Sequence, residues 1–222
     1  MRTSGLLFAV SAAASLTFLL ARPLTAGDWP VIFKVLSILL LAVLGFRVDG
    51  LLGSALALSS LGDFLLGVRR FGNLDGESLF LLGLGSFLIA HLVYIAMLRK
   101  YRTPLWWKPG LARVCGVLAI LVALGSVLGI LRQSLGSMLI PVVVYSLALS
   151  GMGISAMLAD LGNPLAGFGV LLFIASDAMI AISKFRSPFP GYEPLIWITY
   201  YSAQFLILRG VERRHSRQQP AQ

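Results

Sequence analysis

The chain has 222 residues, 58% of them apolar and only 12% charged, and its mean hydropathy is +0.88. A soluble domain carries about a quarter charged residues, so this composition excludes one and indicates an integral membrane protein. The net charge of +9 does not indicate nucleic acid, because the basic residues fall in short loops and at the C-terminus, where positive-inside placement and anionic headgroups account for them. One cysteine, Cys115, leaves no internal disulfide, and two histidines leave no His-rich metal cluster.

A bilayer span needs about 20 mainly apolar residues. The first candidate is 5–21; Met1-Arg2 ahead of it and the small residues around Ala26 also fit a signal peptide. The chain beyond is itself polytopic, so an uncleaved first span is the expectation. Seven more segments follow at 30–46, 49–68, 77–98, 111–131, 137–159, 165–184 and 193–211. Turn formers punctuate them: Arg22-Pro23, Gly27-Asp28-Trp29-Pro30, Gly72-Asn73, Pro104, Lys108-Pro109-Gly110, Gly162-Asn163-Pro164 and Pro188-Phe189-Pro190-Gly191. Between spans four and five, Arg99-Lys100-Tyr101-Arg102 with Trp106, Trp107 and Lys108 reads as an interfacial loop.

The expected fold is therefore all-α and polytopic, with eight transmembrane helices in one domain, 1–211, and a polar basic tail, 212–222, that is disordered. With the N-terminus inside, 11 Lys and Arg residues face the cytoplasm and 6 the other side, which favours both termini in the cytoplasm of a multi-pass cell-membrane protein.

Two stretches rhyme. Gly62-Asp63 leads through an apolar run to Arg70-Phe71, and Ser176-Asp177 leads to Lys184-Phe185 at the same spacing. Around them, Pro30 and Lys34 are four apart, as are Pro141 and Tyr145; Asp63 to His91 is 28 residues and Asp177 to Gln204 is 27. This pattern predicts a duplication of four helices, 1–104 and 105–211, in parallel orientation.

An acid inside a span costs roughly 2.5–3.5 kcal/mol even on lenient scales, so Asp63 and Asp177 call for a function. Each also reads as a neutral acid gluing helices together. Lys34 either snorkels to the headgroups or pairs with one Asp and keeps it ionised, leaving the other as the acid. His91 and Tyr94 share a face of the fourth span with Leu84 and Phe87. With Tyr145, Tyr200, Tyr201 and Gln204 they carry polar tips at mid-span that need partners in a dry interior, and a shared polar cavity would satisfy them. No nucleophile elbow, P-loop or dinucleotide fingerprint is present.

In order and spacing, Lys34; Gly62-Asp63 with Leu66; Phe80, Gly83, Phe87, His91 and Tyr94; Tyr145; Phe173, Ser176, Asp177 and Phe185; and Thr199-Tyr200-Tyr201 with Gln204 resemble the YhhN-type membrane proteins, whose characterised members are lysoplasmalogenases. The first span and the tail carry none of this resemblance. It implies hydrolysis of the vinyl-ether bond of a lysophospholipid substrate, a lysoplasmalogen, to a fatty aldehyde and glycerophosphoethanolamine or glycerophosphocholine. No cofactor is implied, and the remaining partners are membrane lipids. The chemistry suits two carboxyls: one protonates the alkene carbon, and the other stabilises the resulting cation and activates water. His91, Tyr94, Tyr145, Tyr200 and Gln204 would orient water and glycerol oxygens. Arg69, Arg70, Lys184 and Arg186 are candidates for the substrate phosphate, with interfacial anchoring the favoured reading. The rival function is a small proton-coupled transporter or lipid carrier using the same Asp pair.

Overall fold

The computed structural model describes residues 2–25, 27–102 and 110–218. Eight α-helices make up the architecture of the described residues: α1 (Arg2–Ala21), α2 (Val31–Val48), α3 (Gly50–Gly67), α4 (Gly76–Arg99), α5 (Leu111–Leu131), α6 (Leu139–Leu158), α7 (Leu165–Phe185) and α8 (Tyr192–Gln218). Short 3-10 turns, Arg22–Leu24 and Gly136–Met138, follow α1 and precede α6. Seven helices, α1 to α7, are long and apolar enough to cross a membrane. Their outer surfaces fit that reading, since Leu6, Ile32, Val122, Ile140 and Phe168 are all more than half exposed.

α8 departs from expectation in two ways. It is not among the seven membrane-competent helices by composition, because Tyr200, Tyr201, Gln204 and Arg209 lower the hydropathy of its apolar stretch. It also continues as helix to Gln218 through the stretch from 212 expected to be disordered. Local bonds carry this extension: Arg209 pairs with Glu212, the Ser216 hydroxyl donates to the Glu212 carbonyl, and Arg217 Nη1 reaches the Gly162 carbonyl at 2.8 Å. Residues 219–222, and the expected interfacial loop with Trp106, Trp107 and Lys108, lie outside the described residues.

The chain divides into two compact units, Met1–Tyr94 and Ile95–Gln222, with the boundary inside α4. In the first unit α2 packs between α1 and α3. Asp49 alone makes the α2–α3 corner: its N–H closes α2 on the Gly45 carbonyl, and its carboxylate caps α3 through the amides of Leu51 (2.8 Å) and Leu52 (3.4 Å). The two backbones then run antiparallel and very close. A Cβ on Gly45 would lie 3.0 Å from the Gly53 Cα, so the crossing admits no side chain there. Ser60 Oγ, donating to the Val35 carbonyl at 3.0 Å, holds the same register further along. α4 lies against α3, with Phe87 over Gly62, Leu66 over Gly83, and Ser86 Oγ donating to the Leu58 carbonyl at 2.7 Å.

The second unit is centred on α7, which packs on α8, α6 and α5. Ala203 and Ile207 of α8 crowd Gly169, and Ala166 crowds Gly210, so these helices also approach backbone to backbone. Asn163 fastens the start of α7: its side-chain amide donates to the Gly210 carbonyl (3.0 Å) and its oxygen accepts from the Leu165 N–H (3.2 Å). α8 buries the stripe Trp197, Tyr200, Gln204, Ile207, Leu208 and Val211, the i, i+3, i+4, i+7 spacing of one helix face.

Candidate active site

Each unit holds one of the two intramembrane acids, on its third helix, against a polar group from its second. In the first unit, Lys34 leaves the first turn of α2 just after Pro30, and Asp63 lies in the last third of α3. The antiparallel α2–α3 register brings them level. Lys34 Nζ lies 3.0 Å from Asp63 Oδ1, with the lysine side chain 18% exposed and the aspartate 2%. Of the two sequence readings of Lys34, the geometry is that of pairing. An ammonium and a carboxylate this close and this shielded form an ion pair, charge opposite charge, where a lone carboxylate would be expensive.

His91 and Tyr94 on α4 are fully buried, and Phe87 one turn before His91 is nearly so. Leu84 is only half-buried. The α3–α4 contacts run antiparallel, Leu66 with Gly83 and Gly62 with Phe87, and His91 lies one turn further along α4 than Phe87.

In the second unit the Tyr145 hydroxyl on α6 donates to Asp177 Oδ2 on α7. Both residues are half-buried. Ser176, beside Asp177, is fully buried and donates to the Ile196 carbonyl at 3.1 Å, tying this turn of α7 to α8. Gln204 Nε2 donates to the Tyr200 hydroxyl at 3.2 Å within α8. The Tyr200 ring stands edge-on to Phe173 of α7 at 5.4 Å, whereas Tyr201 lies against Trp197.

The four basic candidates for a phosphate behave differently. Arg69 is engaged by Asp28: its Nε lies 3.6 Å from Asp28 Oδ1 and its backbone N–H donates to Oδ2 at 2.8 Å. That link fastens the end of α3 to the loop before α2. Arg70, Lys184 and Arg186 are exposed.

Sequence reasoning missed the small polar residues that line the helix contacts. Ser59, Ser60 and Ser86 are buried, and so is Trp197. Ser59 lies one helical turn before Asp63, an i, i+4 spacing legible in the sequence. Serines are common in membrane helices, however, and spacing alone gave no reason to single one out.

Comparison with known proteins bears on these groups. The chain is 37% identical over 158 residues to a lysoplasmalogenase of Mycobacterium bovis, a match covering 70% of this chain and 58% of that protein. It is 36% identical over 158 residues to human Lysoplasmalogenase TMEM86B, covering 71% and 61%. The pig counterpart is 34% identical over 203 residues, covering 88% and 81%. The match thus spans under two thirds of the length of the mycobacterial and human relatives. No solved structure matches the chain. The model of the YhhN family matches residues 29–211, which include both acids, Lys34, Tyr145 and every polar candidate on α4 and α8, and the chain belongs to that family.

Proposed function

We propose that the chain is a lysoplasmalogenase, a membrane-embedded hydrolase that cleaves the vinyl ether of a lysoplasmalogen by acid–base catalysis with Asp63 and Asp177. The curated relatives bearing that name support the reaction. The observation that carries the chemistry is the unlike setting of two like side chains: Asp63 opposite the Lys34 ammonium at 3.0 Å, and Asp177 opposite a neutral phenol. Two carboxyls in contrasting environments are what an acid and a base require.

Lys34 keeps Asp63 as the carboxylate, which leaves Asp177 as the proton donor. The alkene electron pair takes the Asp177 proton at the carbon remote from oxygen, forming a C–H bond. The ether oxygen shares its lone pair with the neighbouring carbon as an oxocarbenium ion. Water adds to that carbon and gives a proton to Asp63. The hemiacetal then collapses: its hydroxyl proton is lost, the glycerol oxygen departs with one, and the aldehyde forms. Loss of a proton from Asp63 and uptake of one by Asp177 reset both acids, so the net consumption is one water. Tyr145 orients Asp177, and His91, Tyr94, Tyr200, Tyr201 and Gln204 dispose the water and the glycerol oxygens.

The same reading takes α8 as an eighth span and both termini as cytoplasmic in a cell-membrane protein. It takes α1–α4 and α5–α8 as parallel repeats. In support, the residue four after Pro30 engages Asp63 and the residue four after Pro141 engages Asp177. Purified protein in detergent, given an alkenyl lysophospholipid, should release fatty aldehyde and the glycerophospho-base in equal amounts. A carrier has no compartment to fill under those conditions, and absence of aldehyde overturns the hydrolase reading.

A further inference from the structure

Among the buried serines of the first unit, Ser59 stands apart. Ser11, Ser37, Ser60 and Ser86 each spend the hydroxyl on a backbone carbonyl, at 2.7–3.0 Å. Ser54, on the same helix as Ser59, bonds the carbonyl four residues back, the default for a helical serine. Ser59 is fully buried, and its Oγ has no hydrogen-bond partner among the described residues. A buried hydroxyl left unsatisfied is costly, and native proteins retain few without a use.

Its position supplies the use. Ser59 lies one turn from Asp63 on the same face of α3, where Cβ atoms four residues apart are about 5–6 Å from one another. One water spans such a gap with two ordinary hydrogen bonds. Along α3, Ser59 and Asp63 thus place a hydroxyl and a carboxylate within about one helical turn of each other.

We propose that Ser59 is a positioning residue that holds the hydrolytic water against Asp63. The inference rests on the hydrolase reading and adds a residue to it. Ser59 Oγ and the Asp63 carboxylate fix the water so that an oxygen lone pair faces the oxocarbenium carbon. As the new C–O bond forms, the water proton passes to Asp63.

Carrying out the reaction in D2O separates this role from simple packing. When capture by water is prompt, protonation of the alkene goes forward each time and recovered substrate carries no deuterium. When capture is slow, the oxocarbenium ion loses a proton back, and deuterium enters the alkenyl carbon of unreacted substrate. Ser59→Ala should slow aldehyde release about tenfold, the loss of one hydrogen bond to the reacting water, and should enrich recovered substrate in deuterium. Ser59→Thr, which retains a hydroxyl, should restore release without enrichment. Ser59→Cys, close in size but a poor hydrogen-bond donor, should give the same enrichment where the alanine variant misfolds. Unchanged release in Ser59→Ala, or slowed release with no deuterium in the substrate, overturns the proposal. Wild-type protein releasing no aldehyde overturns the hydrolase reading, and the role of Ser59 falls with it.

Discussion

Replacing Lys34 with methionine keeps an unbranched apolar stem one atom shorter and deletes the charge. The Lys34–Asp63 pair at 3.0 Å has a Coulomb attraction of about 5–6 kcal/mol at an effective dielectric constant of about 20, most of it offset by the cost of burying both ions. Removing only the ammonium leaves that cost uncompensated on an aspartate 2% exposed. Breaking a buried pair in this way costs roughly 3–5 kcal/mol, and the 18% exposure of Lys34 puts the expected loss near the lower end. The deficit of Lys34→Met against the unchanged protein, measured by reversible unfolding in mixed detergent micelles, should therefore be about 3 kcal/mol. The double variant Lys34→Met/Asp63→Asn should recover most of the stability and none of the aldehyde release. A deficit below about 0.5 kcal/mol, within the range of exposed pairs, refutes the buried ion pair.

Tyr145→Phe removes the hydroxyl that donates to Asp177 Oδ2 and leaves the ring. The aldehyde assay should show kcat lowered about 10- to 100-fold with KM nearly unchanged, because the lost bond orients the acid and does not hold substrate. Asp49→Ala removes the single residue that ends α2 and caps α3; about 1 kcal/mol of stability should go, seen in the unfolding midpoint, while kcat stays as it was.

The helices were legible in the sequence because apolar run length and turn residues are both local signals. The expected 111–131 and the observed Leu111–Leu131 coincide, and the corner at Asp49 falls on the first residue of the expected span 49–68. α8 was harder. Its tail has no apolar run, and what keeps it helical is the Arg209–Glu212 pair and the reach of Arg217 to Gly162, a contact 55 residues away in the chain. The site divides along the same line. Acids inside spans announce themselves by their cost, so Asp63 and Asp177 could be read directly. Their partners could not, since Lys34 meets Asp63 only through the antiparallel register that Gly45 and Gly53 permit. Ser59 was hidden for a further reason: its distinguishing property is a hydrogen bond it does not make within the protein, and composition cannot register that.

The division of labour between two carboxyls is tested most directly by turnover of Asp63→Asn and Asp177→Asn, each purified folded and assayed for aldehyde from lysoplasmalogen in detergent. Each substitution alone should lower kcat by at least about 100-fold, the scale of a lost general acid or base. Wild-type turnover in either variant would contradict it.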